Sequence, residues 1–341
     1  MKELSSLSPD MVRTIHSVLT KGFSHCTVLV VGDLMVDEHV IGRVERVSPE
    51  APIPVMIHER HARACGGAAN VVLNLLGLSA SVRVVGVVGD DDAGHWLMRT
   101  LEASGADVRG IVIDARRPTT LKTRFRTDRQ QILRLDREDT SELDSATQTR
   151  MLASIQDNIC SVKSLCLVDY AKGVLTTSSF VSAAISIANA GGALCAVDTK
   201  TRQIERFRGV TFLKPNQTEL EEATGIKARD ESGIVAATRQ YFARTGTRAV
   251  VLTRGGDGIV VATPGDAPVS VRTTATEVYD VTGAGDTVMA ATIAAMTSGL
   301  DWTEAAVLSN MAAQVVVRKM GTVAITLHDL RTEFGEAYAA S

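Results

Sequence analysis

Near the end of the chain, Asp280-Val281-Thr282-Gly283-Ala284-Gly285-Asp286 places two carboxylates around a turn of small residues. Gly283 and Gly285 permit backbone angles that a side chain forbids, so consecutive N–H groups around Ala284 can converge on one point. Residues 286–299 are rich in small residues, with four Ala and three Thr, and read as a helix, which adds unpaired amides and the positive end of its dipole. Such a site suits a phosphoryl group in transfer, whose charge must be stabilised away from competing water. Asp286 would stand beside it, able to take a proton from an attacking hydroxyl. Taken alone, the same residues also fit an ordinary glycine turn with Asp286 as helix N-cap.

Further residues suited to chemistry fall at the ends of apolar runs. Gly32-Asp33 closes the first such run, and Asp37 follows four residues later, at the carboxyl edge where open α/β sheets place their ligands. Carboxylates there can accept from sugar-like hydroxyls or serve as turn and cap residues. Gly66-Gly67-Ala68-Ala69-Asn70 opens a helix, and Asn70, one turn into an apolar stretch, needs a polar partner. Asn216 and Glu219 have capping-box spacing after Lys214-Pro215. Thr253-Arg254-Gly255-Gly256-Asp257-Gly258 reads as the glycine turn of a hairpin between residues 250–252 and 259–261. Between Arg116 and Arg137 lie eight Lys or Arg against two Asp, and Lys122, Arg124 and Arg126 alternate, so they share one face of a strand backed by Leu121 and Phe125. That face is either a solvated surface or a clamp for an anion. Lys172, in Asp169-Tyr170-Ala171-Lys172-Gly173, is a further cation after another strand.

These residues need a scaffold. Short β-branched runs at 28–31, 82–88, 165–168, 194–197, 211–213 and 249–252 alternate with helical stretches at 68–76, 94–103, 141–159, 176–190 and 233–244. Two more helices follow the glycine turn and end near Met320. The alternation predicts an α/β fold with a mostly parallel sheet covered by helices on both faces. Two segments break the rhythm, about 38–60 with three prolines and about 110–137, and read as extra strands inserted into one domain spanning 1–341.

Composition narrows the function. The chain has 341 residues, 45% of them hydrophobic, enough for a sizeable core. No apolar signal region or membrane-length run occurs, so a cytoplasmic protein without a membrane role is expected. Five scattered cysteines, never spaced Cys-x-x-Cys, argue against a disulfide scaffold or a zinc site. A net charge of −3 gives no electrostatic case for nucleic acid. No Gly-x-Gly-x-x-Gly follows the first strand, which disfavours a nicotinamide-dependent dehydrogenase.

The glycine turn resembles the second signature of the ribokinase-like (PfkB) carbohydrate kinases, with Val281 where Thr is usual. Residues 66–70 resemble the family's first signature, and Asn216-Gln217-Thr218-Glu219 a third motif, all in the family's order. The resemblance implies a ribokinase-like three-layer fold in which the two inserted segments form a small β lid that pairs with the lid of a second subunit, giving a homodimer. It implies Asp286 as the base, with Gly283, Ala284 and Gly285 as the anion hole. Asp37, Gly66, Gly67 and Asn70 would line the sugar pocket. ATP would meet Asn216, Glu219, Thr253, Gly255 and Asn310, with Glu219 holding Mg²⁺ through water. Asp280 and Thr282 match positions that hold a monovalent cation such as K⁺.

Within the family the chain resembles the D-glycero-β-D-manno-heptose 7-phosphate kinases, through residues 30–37, 46–55, the Arg-rich lid and residues 169–173. That implies transfer of the ATP γ-phosphate to the anomeric hydroxyl, giving the 1,7-bisphosphate on the route to ADP-heptose and lipopolysaccharide core. Lys122, Arg124, Arg126 and Lys172 would then meet the sugar phosphate. Many such proteins carry a further nucleotidyltransferase domain, and a stand-alone kinase is expected here. Thr199 in Asp198-Thr199-Lys200 and Lys214 before Pro215 depart from the usual pattern. Another PfkB kinase, of ribokinase, adenosine kinase or 6-phosphofructokinase type, or a non-catalytic sugar-phosphate sensor, is the alternative.

Overall fold

Runs such as Val28–Val31 and Leu165–Val168 have no polar face, so strands built from them must be covered on both sides. The structure, a computed structural model, describes residues 2–3, 7–128, 130–273, 278–319 and 321–338. The first half contains β1 (Lys2–Glu3), α1 (Pro9–Lys21), β2 (Thr27–Gly32), β3 (Leu34–Val47), β4 (Pro54–Gly67), α2 (Ala68–Gly77), β5 (Ser81–Val88), α3 (Asp92–Ala103), β6 (Asp107–Ile113), β7 (Thr120–Arg126), β8 (Gln131–Arg137) and α4 (Ser145–Ile159). The second contains β9 (Ser164–Asp169), α5 (Ser178–Ala190), β10 (Leu194–Thr199), β11 (Phe212–Leu213), α6 (Gln217–Thr224), α7 (Glu231–Thr245), β12 (Ala249–Thr253), β13 (Ile259–Ala262), β14 (Val269–Val271), α8 (Ala284–Thr297), α9 (Trp302–Val317) and α10 (Leu327–Tyr338).

Ten strands form one sheet in the order β1-β14-β13-β12-β11-β10-β9-β2-β5-β6. Every pairing is parallel except β12 with β13 and β13 with β14. Alternate residues of each strand feed two cores. Val28 and Val30 pack on one face with α2, α8 and α9 through Val71, Ile293 and Leu308. Leu29 and Val31 pack on the other with α4, α5 and α7 through Ile155, Ile185 and Tyr241. A fully buried Leu or Ile of this kind contributes roughly 1.5–3 kcal/mol relative to exposure. From Asp286 to Ala295, α8 is buried throughout, and its alanines let it lie close against α2 and α9.

A second, four-stranded sheet, β4-β3-β7-β8, stands over the carboxyl edge of the first. β3 starts one residue after β2 and is hydrogen-bonded to β4 from Leu34 through Val47, with two register shifts. The lid therefore reaches beyond the expected 38–60. Conversely, residues 110–113, expected in the lid, belong to β6, which pairs in parallel with β5. The reason is burial on both faces, with Ile111 in one core and Val112 in the other.

Helix starts move by a few residues toward their caps. The stretch expected from 141 begins at Ser145, where Asp144 accepts from Thr147 N–H at 2.7 Å. α5 begins at Ser178 rather than 176, and α7 at Glu231 with Asp230 as cap rather than 233. The end expected near Met320 falls outside the described residues; α9 stops at Val317. None of the described helices is long and apolar enough to cross a membrane.

Candidate active site

Gly283 is the N-cap of α8 at φ 81, so Asp286 sits inside the first turn and is not the cap. A Cβ at Gly283 would stand 2.7 Å from Asn70 Nδ2, so glycine is required for both conformation and space. Ala284 N–H donates back to Val281 at 3.2 Å, while the N–H groups of Gly285 and Asp286 have no acceptor among the described residues. The amides left open at the start of the helix are thus those of Gly285 and Asp286, an arrangement that suits an anion.

Asp286 is 4% exposed. Its Oδ2 accepts from Asn70 Nδ2 and its Oδ1 from the Tyr170 hydroxyl, each at 2.7 Å. Burial, then the charge of Asp198, push its carboxyl up to about 6, against the pull of Asn70, Tyr170 and Lys214. A buried carboxylate poised near neutrality and clamped by two donors is suited to taking a proton.

The two donors come from opposite sides. Gly67, at φ 57, turns β4 into α2, and Ala68 N–H donates to Asp33 O at 2.9 Å. Asn70 is fixed by Asn74, whose Nδ2 donates to the Asn70 carbonyl at 2.8 Å while its Oδ1 accepts from Thr287 Oγ1 at 2.8 Å and Ile325 N–H at 3.0 Å. The buried amide that the sequence left in need of a partner finds Asp286. Tyr170 stands in the turn after β9. There the buried Asp33 side chain accepts from the N–H groups of Tyr170, Lys172 and Val174 at 2.7, 3.0 and 3.1 Å. Ala171 is held at φ 56, which this turn over-determines. Asp33 is therefore a loop anchor, whereas Asp37 lies on lid strand β3 and lines a second cavity with Arg124. A Cβ at Gly66 would come within 2.3 Å of Asp37 Oδ2, so Gly66 leaves room for that carboxylate.

The four cations expected at a phosphate do not share one environment. Arg124 is ion-paired with Asp37. That pair and Arg126 line this second cavity with His39, Asp280 and Thr322. Lys172 donates to Glu138 at 2.7 Å. Lys122 has no carboxylate within ion-pair distance among the described residues, and its ammonium lies 5.9 Å from the Tyr170 ring centre. Burial, then the neighbouring Lys172, lower its pKa.

Beyond Asp286 opens a cavity of about 470 Å³, lined by Asp198, Lys200, Lys214, Asn216, Thr253, Gly255, Gly283, Gly285 and Asn310 among others. Four of the five residues expected at the nucleotide, Asn216, Thr253, Gly255 and Asn310, line this cavity, and Glu219 does not. Asn216 and Glu219 form the capping box, at 2.9 and 2.8 Å, and Glu219 also accepts from Lys200 at 2.5 Å. Asn310 Nδ2 donates to Arg272 O at 2.9 Å, on the cavity wall. The hairpin of β12 and β13 is present, with Gly255 and Gly258 at positive φ. Asp198 and Lys214, both 2% exposed, pair at 3.1 Å, yet Asp198 Oδ1 accepts no hydrogen bond among the described residues and has only the Lys200 ammonium at 4.0 Å. That unsatisfied carboxylate oxygen beside Glu219 is an acceptor that fits a hydrated Mg²⁺. Asp280 accepts from Thr282 N–H at 2.9 Å and Gly321 N–H at 3.2 Å, tying two loops together. Both its oxygens are thus engaged, and the described residues show no cluster of three acidic, His or Cys ligands. Sequence reasoning missed Tyr170 and Asp198. Tyr170 lies in the same turn as Lys172, and a polar ring directly after Asp169 was the available signal.

Residues 27–329 match the pfkB family carbohydrate kinases. The chain belongs to that family. It is a sugar kinase, a phosphotransferase, and kinases of this family use ATP and Mg²⁺. The bifunctional protein HldE of Caulobacter sp. (strain K31) is 43% identical over 313 residues, 92% of this chain and 63% of that protein. HldE of Desulfatibacillum aliphaticivorans is 38% identical over 94% of this chain and 65% of that protein. The chain thus spans somewhat under two thirds of the length of these curated relatives. Arabidopsis thaliana ribokinase complexed with ribose and ATP superposes with a TM-score of 0.73 at 19% identity, covering 91% of this chain and 98% of that one. Escherichia coli phosphofructokinase-2 in complex with potassium gives 0.75 at 15%, covering 91% and 98%. These two likenesses establish the ribokinase-like fold.

Proposed function

We propose that this kinase phosphorylates the anomeric hydroxyl of D-glycero-β-D-manno-heptose 7-phosphate, and that Asp286 is its base. The sugar lies between the lid and α8, with Asp37 and Asn70 orienting its hydroxyls. Asp286 takes the hydroxyl proton as the oxygen attacks the terminal phosphoryl group of ATP. The Gly285 and Asp286 N–H groups meet the charge on the phosphoryl oxygens, and the buried site excludes water. Lys214, which would lie 3.4 Å from a Cβ at Gly285, adds a cation beneath that loop. Asp198, with Glu219 through water, would hold Mg²⁺, which neutralises phosphate charge when bound. No step is assigned to a monovalent cation.

The observation that carries the phosphorylated substrate is Lys122, a half-buried ammonium beside Lys172 with no carboxylate of its own. Asp37, Asp136 and Glu138 lie near enough to favour its charge, but each is paired with another cation, so an anion in direct contact would complete Lys122. The test is coupled ADP release with heptose 7-phosphate and with unphosphorylated heptose. Wild type should prefer the phosphorylated sugar, and Lys122→Ala should raise its KM about tenfold or more with KM for ATP little changed. Equal use of both sugars by wild type, or an unchanged preference in the variant, would remove the assignment. Fructose 6-phosphate, ribose and adenosine in the same panel separate the other kinases of the family, and absence of any ADP release would favour a sensor.

A further inference from the structure

The Asp169-Tyr170-Ala171-Lys172-Gly173 turn is held with more interactions than a surface loop needs. Asp33 takes two of its N–H groups and that of Val174 just after it, and Asp169 accepts from Ala171 N–H at 2.9 Å and from Thr199 Oγ1 at 2.7 Å. What this scaffolding fixes is the Tyr170 ring. Its hydroxyl reaches Asp286 at 2.7 Å, and its face meets the ammonium of Lys200 at 5.2 Å and that of Lys122 at 5.9 Å. Lys200 belongs to the nucleotide cavity and Lys122 to the lid, so one ring touches the base and both sides of the site.

We propose that Tyr170 is a positioning residue for phosphoryl transfer, whose hydroxyl holds Asp286 in its ionised, correctly turned form and whose ring links that base to Lys122 of the lid. This rests on Asp286 being the base. Two donors clamp the carboxylate, Asn70 at Oδ2 and Tyr170 at Oδ1, and loss of either frees the side chain to rotate. The groups facing Asp286 are Asn70 on α2, Tyr170 on the turn, Asp198 on β10, and the ammoniums of Lys200 and Lys214 after β10 and β11. Among these Asp198 opposes ionisation, while Tyr170, Asn70 and Lys214 favour it.

The decisive variant is Tyr170→Phe, which keeps the ring and its cation contacts and removes only the hydroxyl. With ATP and heptose 7-phosphate, or fructose 6-phosphate if that is the sugar turned over, kcat at pH 7 should fall about tenfold or more while KM for ATP stays within about twofold. Because the lost donor favoured the ionised form, the acid limb of the kcat profile should move to higher pH by about one unit. Tyr170→Leu, which also removes the ring, should in addition raise KM for the sugar phosphate. A Tyr170→Phe enzyme with kcat within twofold of wild type and an unmoved acid limb would overturn the proposal. Asp286→Asn assayed in parallel separates the failures. If it is inactive while Tyr170→Phe is normal, only the role of Tyr170 falls; if Asp286→Asn is itself active, the base assignment falls.

Discussion

Asp286 carries two opposite demands, since a base must be ionised and a buried carboxylate resists ionisation. With its carboxyl pushed up to about 6, activity should be lost as pH falls through about 6, giving the acid limb of kcat. Asp286→Asn should lower kcat by roughly 10²–10⁴-fold with ATP binding nearly intact, as measured by turnover and by calorimetric titration of ATP. Stability should move the other way. A carboxyl whose folded pKa lies above its unfolded value contributes stability that is full below about 4 and lost as pH rises through about 6. Asp286→Asn should therefore raise Tm at pH 8, by the equivalent of up to about 3 kcal/mol, and the gain should close toward pH 4. A variant of lower Tm at pH 8, or one with near wild-type turnover, would contradict the assignment. At this scale the sequence made Asp286, Asn70 and the glycine turn legible, because glycines and a stranded amide leave few local explanations. Tyr170 was hidden because a tyrosine after a strand end has ordinary local explanations and its partner Asp286 is 116 residues away, and Asp198 because a charge at a strand end reads as a turn residue.

Among elements, the alternation of β-branched runs with helical stretches sufficed to predict the main sheet and its two covered faces. The lid boundaries did not follow, because β3 continues almost directly from β2 while changing sheets, and nothing local marks that switch. β6 was drawn into the lid for the converse reason: its Arg109 and Gly110 mask a short run buried on both faces. The lid itself leaves Val47, Ile53, Leu133 and Leu135 exposed at 55–64%, apolar side chains on β3, the β3–β4 connection and β8. We propose that they meet the lid of a second copy. Sedimentation of the wild type should show a dimer, and Leu133→Asp with Leu135→Asp should yield monomer with the main domain's Tm little changed. A monomeric wild type at micromolar concentration would dispose of that interface.

For the whole molecule, the fold places every element of a phosphoryl-transfer site at one edge of the sheet. As we propose it, the anion hole comes from α8, the base is Asp286, clamped by α2 and the turn after β9, ATP enters the cavity beyond β10 to β13, and a lid strand supplies Lys122. The family likeness covers residues 27–329, so the chemistry is that of a sugar kinase, while the choice of sugar rests on the lid. Phosphorus NMR of the products formed from ATP and heptose 7-phosphate reads the regiochemistry and the stoichiometry together. The account predicts one ADP per sugar and a second sugar phosphorus signal coupled to the anomeric proton, with the 7-phosphate retained. ADP accompanied only by inorganic phosphate, or a new signal at any other sugar position, would contradict it.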